Sequence, residues 1–165
     1  MLESFYPKNY VSSGYVITYR ELYDKGIRGV IFDVDNILVP HDAPADSRAK
    51  KLFQEFHNMG METCLLSNNR EPRVAAFAKC VGSKYIFKGS KPSIKVYQRA
   101  IELMGTSRDT TIFVGDQLFT DVYGANRTGI CSYLVKPIHP KEEIQIVMKR
   151  YLEAVVLYFY RKKKE

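Results

Sequence analysis

Alternation between short apolar runs and amphipathic stretches is the feature of this chain that most constrains its fold. The apolar runs are rich in β-branched residues and predict buried strands at 29–34, 63–67, 85–87, 111–115 and 131–135. The stretches between them carry apolar residues three and four positions apart, which predicts helices at 47–58, 71–80, 93–103 and 118–127. This order predicts an α/β fold, in which a parallel sheet has helices on both faces.

Length and composition favour one domain. The 165 residues suffice for a single core and are few for two, so we expect one domain over 1–165. It has an N-terminal segment at 1–27 and a C-terminal helix with a basic tail at 140–165. The net charge of +7 favours anionic partners or serves solubility. The three cysteines lack metal-binding spacing, and we find no signal peptide and no run of ~20 apolar residues, which predicts a cytoplasmic protein.

Polar side chains follow four of the predicted strands, at the points where the strands end. They are Asp33 and Asp35 after the first strand, Ser67 and Asn68 after the second, Lys91 after the third, and Asp116 and Asp121 after the fourth. The carboxyl ends of parallel strands share one edge of the sheet, and ligands bind at that edge. These side chains are therefore expected to form one site.

This set of residues suits the attack of a carboxylate on a phosphate group. Asp33 is the candidate nucleophile, and cations must offset the repulsion between its charge and the phosphate. Lys91 supplies one compact positive charge. Asp33 and Asp116 come from neighbouring strands and offer the carboxylate oxygens that Mg²⁺ prefers.

The other candidates handle protons and phosphate oxygens. Asp35 lies two residues after Asp33 and therefore points the same way. It can protonate the leaving oxygen and later take a proton from the attacking water. Ser67 and the amide groups after it, including Asn68, are expected to bind the phosphate oxygens.

Four motifs of the chain resemble those of the haloacid dehalogenase (HAD) superfamily. They are Asp33-Val34-Asp35-Asn36-Ile37-Leu38-Val39, Leu65-Leu66-Ser67-Asn68-Asn69, Lys91-Pro92 and Gly115-Asp116-Gln117-Leu118-Phe119-Thr120-Asp121. Together with the stretch 41–46, they are similar to the YqeG-type phosphatases of subfamily IIIA. Lys91 is preferred to Lys88 as the lysine of the site, because Lys-Pro at the start of a helix matches the family pattern and proline suits a first helical turn.

The resemblance implies a three-layer Rossmann-like sheet, bound Mg²⁺ and an aspartyl-phosphate intermediate. It implies that Asp33 is nucleophile and metal ligand, and that Asp35 is acid and base with its backbone carbonyl on the metal. Asp116 would bind the metal directly, and Asp121 at a longer distance or through water. Ile37 departs from the threonine that is usual in this type, which affects local hydrogen bonding rather than activity.

The spacing of the motifs leaves no room for a cap domain. Val39 to Asp46 is a short loop, and the stretch from Ser67 to Lys91 accommodates one helix and one strand. A capless, open site suits a phosphate on a large or surface-bound substrate, or a site that a neighbouring subunit covers. His41 on the short loop either contacts substrate or is solvated. Similarity to phosphatidylglycerophosphate phosphatases makes a phospholipid the leading substrate, with soluble sugar or nucleotide monophosphates as the alternative.

The C-terminal segment has two interpretations. Its apolar residues at helical spacing are Ile144, Val147, Tyr151, Val155 and Tyr158, and a basic run follows at 161–164. They form either a last helix packed on the sheet or a helix that makes peripheral contact with anionic lipid at the inner face of a membrane. No nucleic-acid partner is expected. A non-catalytic scaffold on the same fold is the alternative to an enzyme.

Overall fold

A parallel sheet forms the centre of the structure, a computed structural model that describes residues 2–138 and 144–164, with side chains in the second range described from residue 149. The strands are β1 (Asn9–Val11), β2 (Gly29–Phe32), β3 (Glu62–Leu66), β4 (Lys84–Ile86), β5 (Thr111–Gly115) and β6 (Cys131–Val135). Within the described residues they form one sheet in the order β1-β6-β5-β2-β3-β4, and all pairings are parallel. The predicted α/β class is confirmed.

Helices connect the strands. The α-helices of the described ranges are α1 (Tyr19–Asp24), α2 (Ser47–Met59), α3 (Glu71–Val81), α4 (Ile94–Met104), α5 (Tyr123–Thr128) and α6 (Ile144–Lys164). Short turns are 3₁₀-helical at Leu2–Phe5 and Arg108–Thr110 and π-helical at Leu118–Val122. The helices predicted at 47–58, 71–80 and 93–103 correspond to α2, α3 and α4.

The central strand β2 shows why helices cover both faces of the sheet. Successive side chains of a strand point to opposite faces. Val30 and Phe32 pack in one core cluster with Phe53 of α2, whereas Ile31 packs in a second cluster with Tyr97 of α4. A strand that is apolar at every position therefore requires two helical layers, which confirms the three-layer arrangement.

The ends of α2 are encoded locally. The Asp46 side chain accepts a hydrogen bond from the backbone N–H of Ala49 at 2.8 Å and caps the first turn. Gly60 ends the helix in a left-handed conformation, with φ of 82°. Between them Phe53 and Phe56 are fully buried against the sheet. The loop from β2 to α2 thereby ends at a fixed point beside the carboxyl edge.

Two predicted details of the second half differ. The helix predicted at 118–127 begins as a π-helical turn, because the N–H groups of Asp121 and Val122 both donate to the carbonyl of Gln117. Pro92 does not lie in the first turn of α4, and that prediction is wrong. The helix begins at Ile94, and Pro92 precedes it after a cis peptide bond.

The N-terminal segment contains a strand that the sequence did not predict. β1 has three residues and pairs with β6 at the edge of the sheet. Such a short strand has no detectable periodicity. In the same segment, α1 packs on the core through its buried Tyr19.

Helix α6 packs through a different face from the one predicted to lie on the sheet. Glu153, Val156 and Tyr160 are buried, whereas Tyr151 and Tyr158 are 75% and 62% exposed. Val155 is exposed as well, and the side chains of the remaining predicted apolar positions, 144 and 147, lie outside the described residues. No helix in the described ranges has the length and apolarity needed to span a membrane.

Candidate active site

Asp33 lies at the carboxyl edge, one residue beyond β2. Its N–H donates to the carbonyl of Val114 at 3.0 Å, which extends the ladder between β2 and β5 by one step. One carboxylate oxygen accepts from the N–H of Val34 at 2.8 Å, and the other lies 3.1 Å from Lys91 Nζ. The sheet thus fixes the backbone of Asp33, and a buried cation holds its side chain.

Lys91 is buried between two carboxylates. Its Nζ lies 3.1 Å from Asp33 Oδ2 and 2.7 Å from Asp121 Oδ1. Burial lowers the pKa of Lys91, but the charges of Asp121 and Asp33 outweigh burial and hold the pKa above its usual value. Lys88, the rival for this position, is exposed. The structure brings Lys91 to the predicted site and places Lys88 outside it.

Asp121 is fully buried, and both of its carboxylate oxygens already have partners. Oδ1 faces Lys91, and Oδ2 accepts from the N–H groups of Asp116 and Gln117 at 3.1 and 3.2 Å. A β-carbon on Gly115 would come within 2.6 Å of Asp121 Cγ, so only glycine leaves room for this side chain. In this geometry Asp121 orders the lysine and the loop.

The acidic residues fit a divalent cation. Asp33, Asp116 and Asp121 each place a carboxylate oxygen within 4.8 Å of the others. Oδ1 of Asp116 is buried without a hydrogen-bond partner in the described part of the chain, so it is available as a ligand. Clustered carboxylate oxygens are the ligand set of a hard cation such as Mg²⁺.

Burial and mutual repulsion disfavour the ionised forms of these carboxylates. Burial, together with the charges of Asp121 and Asp116, raises the pKa of Asp33 to about 7 against the opposing charge of Lys91. Burial likewise raises the pKa of Asp116 to about 7, although Arg150 lowers it. A bound cation would offset this repulsion and favour the charged forms.

Asp35 is separated from the acidic triad and paired with an arginine. Arg73 Nη2, from the first turn of α3, lies 2.8 Å from Asp35 Oδ1. The N–H of Asp42 and the amide of Asn69 also donate to the Asp35 carboxylate, at 3.1 and 3.3 Å. Burial raises the pKa of Asp35, but these contacts, with Arg73 foremost, outweigh burial and lower it.

The loop after β3 brings the predicted phosphate-binding residues to the same edge. Ser67 is buried, and its hydroxyl accepts from the N–H of Asn69 at 3.0 Å. The Asn68 side chain accepts from the N–H of Lys91 at 3.0 Å, so this loop and the lysine loop support each other. The phosphate-binding role of Ser67 and Asn68 stays a prediction.

A cavity of about 520 Å³ collects these groups. Its lining includes His41 and all of the predicted site residues except Asp121, which is fully buried. Arg150 also lines it and was not predicted. Arg73 was missed as well, although the helix after β3 begins at the carboxyl edge and its first turn offers a signal for such a residue.

The parallel sheet with an acidic site at its carboxyl edge defines a class of hydrolase. The sequence model of the haloacid dehalogenase-like hydrolases matches residues 36–129, and the chain belongs to this family. It is a phosphoric monoester hydrolase of the HAD type.

Two named relatives sharpen this assignment. The Bacillus subtilis (strain 168) protein named Probable phosphatase YqeG is 34% identical over 165 residues, which cover 99% of this chain and 96% of the relative. Phosphatidylglycerophosphate phosphatase 1, chloroplastic/mitochondrial, from Arabidopsis thaliana is 27% identical over 158 residues, 86% of this chain. The alignment covers only 44% of that plant protein. The predicted YqeG-type resemblance is confirmed.

Solved structures confirm the fold. A cobalt-bound deoxy-D-mannose-octulosonate 8-phosphate phosphatase from Haemophilus influenzae has a TM-score of 0.54 at 14% identity, with 81% of this chain and 89% of that chain covered. An uncharacterized protein from Listeria monocytogenes serotype 4b has a TM-score of 0.56 at 17% identity, with 72% of this chain and 85% of that chain covered. At this identity the likeness concerns the fold alone.

Proposed function

We propose that the chain hydrolyses a phosphomonoester through an aspartyl-phosphate on Asp33, with Mg²⁺ as cofactor. The observation that carries the proposal is the setting of Asp33. Its carboxylate is buried at the cavity, contacts Lys91 at 3.1 Å and belongs to a triad of carboxylates. A nucleophilic carboxylate needs such cationic surroundings when it approaches a phosphate.

The proposed reaction has two displacements. In the first, an oxygen of Asp33 bonds to phosphorus, the bond to the leaving oxygen breaks, and Asp35 gives that oxygen a proton. In the second, water attacks the phosphorus of the aspartyl-phosphate and gives a proton to Asp35, the bond between the Asp33 oxygen and phosphorus breaks, and inorganic phosphate leaves. The ion pair with Arg73 lowers the pKa of Asp35 and favours its ionised form, so the proposal requires that bound substrate weaken this pair before Asp35 acts as an acid.

The other residues hold charge and phosphate. Asp33 and Asp116 would hold Mg²⁺, with the backbone carbonyl of Asp35, while Asp121 contributes through water. A divalent cation at this place withdraws charge from the phosphate oxygens. Lys91 neutralises charge that develops on the transferred group, and Ser67 binds a phosphate oxygen.

A phosphomonoester on a lipid is the proposed substrate, and the chain would meet it as a cytoplasmic protein at the inner face of a membrane. The Arabidopsis relative is named for such a substrate. Arg150 of α6 lines the cavity, and further along the helix α6 exposes apolar side chains beside a basic end at 161–164. Those exposed apolar side chains are Tyr151, Leu152, Val155, Tyr158 and Phe159. Basic residues next to an apolar helix face favour anionic lipid surfaces.

Release of inorganic phosphate tests the reaction. The full chain is assayed with phosphatidylglycerophosphate, a sugar phosphate and a nucleotide monophosphate, with Mg²⁺ and with a chelator. We expect turnover that chelation removes, with the lipid as the best substrate. A preference for a soluble monoester would exclude the lipid proposal, and inactivity of folded, Mg²⁺-binding protein on all three would favour a non-catalytic scaffold.

Co-sedimentation with vesicles tests the membrane contact separately. Vesicles with and without anionic lipid are compared for the wild type and for Tyr151→Ser combined with Tyr158→Ser. We expect binding that requires anionic lipid and weakens in the double variant. The matched control is Tyr85→Ser, which alters a tyrosine on the edge strand β4. Equal binding of all three proteins would rule out α6 as the contact.

A further inference from the structure

Helix α6 contributes to the active site although it lies beyond residues 36–129, the part that matches the family. Arg150 lines the cavity, and Glu153 is buried beside it. Both side chains contact the segment 116–121, which we call the metal loop because it carries Asp116 and Asp121. A helix outside the catalytic motifs therefore reaches the cation site.

Arg150 binds Asp116 at two points. Its Nη2 donates to Asp116 Oδ2, and its Nη1 donates to the backbone carbonyl of Asp116. A planar guanidinium that contacts both groups restricts the rotation of the carboxylate. The other oxygen, Oδ1, is buried and has no hydrogen-bond partner among the described residues. Arg150 thus leaves one defined oxygen of Asp116 for a cation.

Glu153 holds the next part of the metal loop. Its Oε1 accepts from the N–H of Leu118 at 2.9 Å, at the start of the π-helical turn. Its Oε2 lies 3.4 Å from Arg150 Nη1. One turn further along α6, Val156 packs with Leu118 and Val122. Helix α6 therefore contacts the metal loop in three ways: through the backbone of the loop, through the side chain of Asp116, and through the apolar contact of Val156.

We propose that Arg150 and Glu153 are positioning residues for the metal site. Arg150 orients Asp116 so that Oδ1 faces the ion, and Glu153 fixes the backbone that leads to Asp121. Groups that hold the ligands of a metal typically change its affinity by about 10–100-fold when they are removed. This inference rests on the metal site of the proposed function, and it concerns affinity rather than turnover.

Calorimetric titration of Mg²⁺ into the metal-free full chain tests the proposal without substrate. In Arg150→Gln we expect the Kd for Mg²⁺ to rise about 10–100-fold. Arg150→Lys keeps the charge but not the planar fork, so we expect it to restore only part of the affinity. Lys149→Gln removes the same charge from the adjacent, exposed position and is expected to leave the Kd unchanged.

Glu153→Gln tests the second residue. The variant keeps an oxygen that can accept from Leu118 but loses the charge beside Arg150. We expect a smaller rise in the Kd for Mg²⁺ than in Arg150→Gln. An unchanged Kd would remove Glu153 from the proposal.

Urea unfolding of the metal-free variants separates positioning from folding. Lower stability of Arg150→Gln with an unchanged Kd for Mg²⁺ would overturn the proposal and make Arg150 purely structural. Tighter Mg²⁺ binding would also overturn it, because Arg150 would then compete with the ion for Asp116. Should Arg150→Gln fail to fold, the same criteria apply to Arg150→Lys. Absence of Mg²⁺ binding in the wild type would refute the metal site itself, whereas inactivity with intact Mg²⁺ affinity would refute only the proposed reaction.

Discussion

The strand ends and helix α6 meet at the same cavity but are held there in different ways. Asp33 and Asp116 follow β2 and β5, which pair in parallel over four residues, so the hydrogen-bond ladder fixes the backbone on which both carboxylates stand. Arg150 depends on the packing of one helix. That helix buries Val156 in a small apolar cluster and leaves its Tyr151 side largely exposed.

This difference predicts that substitutions in the two regions have different effects. Groups on the central strands can move only if the sheet opens. Over its described side chains, from residue 149 on, α6 buries two apolar residues, Val156 and Tyr160, and an element held by so few apolar contacts can detach locally at lower free energy. Substitutions at the strand ends should therefore abolish the reaction or destabilise the whole fold. Substitutions on α6 should alter Mg²⁺ affinity and leave the chemistry intact once the metal is bound.

The largest contrast is expected between Asp33→Asn and Arg150→Gln in turnover at saturating Mg²⁺. Loss of a nucleophile lowers kcat by about 10⁴-fold or more, so Asp33→Asn should show background activity at any Mg²⁺ concentration. Arg150→Gln should regain most of its activity as Mg²⁺ is raised. Phosphate release measured across an Mg²⁺ series checks both, and equal, irreversible losses would erase the distinction between the two regions.

The second prediction concerns Lys91, the buried cation that lies between Asp33 and Asp121. Lys91→Met leaves Asp33 and Asp121 buried without their partner, which should lower the free energy of unfolding by about 3–5 kcal/mol. Lys88→Met removes an exposed lysine three residues away and should change it by less than about 0.5 kcal/mol. Urea unfolding of the metal-free proteins provides the measurement. Similar free energies of unfolding for the two variants would show that Lys91 contributes no more to stability than the exposed Lys88.

Most of the strand-end region could be predicted from the sequence, because its residues obey a topological rule. A run such as 111–115 is apolar throughout, ends at Gly115-Asp116, and must deliver that aspartate to the carboxyl edge of a parallel sheet. The rule places residues at an edge but does not determine their partners. The rule therefore did not predict that one carboxylate oxygen of Asp121 contacts Lys91 and the other accepts hydrogen bonds from backbone N–H groups.

The contribution of α6 could not be predicted in the same way. Arg150 follows no strand, and in a basic segment nothing distinguishes it from Lys149. Helical spacing identified a stripe through Tyr151 and Tyr158, but the buried face is the one with Glu153 and Val156. Helical periodicity identifies the most apolar face of a helix. In the folded chain the buried face is instead the one on which Glu153 accepts a hydrogen bond from Leu118 of the metal loop.

The third prediction is that the free energy of unfolding depends on pH through two carboxylates at the strand ends, Asp33 and Asp116. The pKa values of Asp33 and Asp116 are raised to about 7, so the folded, metal-free protein binds more protons than the unfolded chain between about pH 4 and 7. Its free energy of unfolding should fall as pH rises through this window, by up to about 1.4 kcal/mol per pH unit for each proton. The lowered pKa of Asp35 has the opposite sign and acts only below about pH 4.

Urea unfolding at pH 5, 6 and 7 with chelator measures this slope. Asp116→Asn should flatten it, since one of the two protons is then lost, and Mg²⁺ should remove it by binding the ionised carboxylates. Arg150→Gln should not flatten it, because both carboxylates persist. Stability that is constant or rises over this range in the metal-free wild type would contradict the raised pKa values.

The smallest expected effect tests whether α6 must be docked for the metal loop to hold its shape. Val156→Ala removes two methyl groups from the cluster with Leu118 and Val122 and should lower the free energy of unfolding by about 1.5 kcal/mol. Val155→Ala is the matched control, since its side chain is exposed. If docking matters, Val156→Ala also weakens Mg²⁺ binding, as measured by calorimetry, although the valine side chain has no group that can bind the ion. A loss of stability with unchanged Mg²⁺ affinity would mean that the apolar contact of Val156 is not needed to hold the metal loop. Helix α6 would then act on the metal site through Arg150 and Glu153 alone.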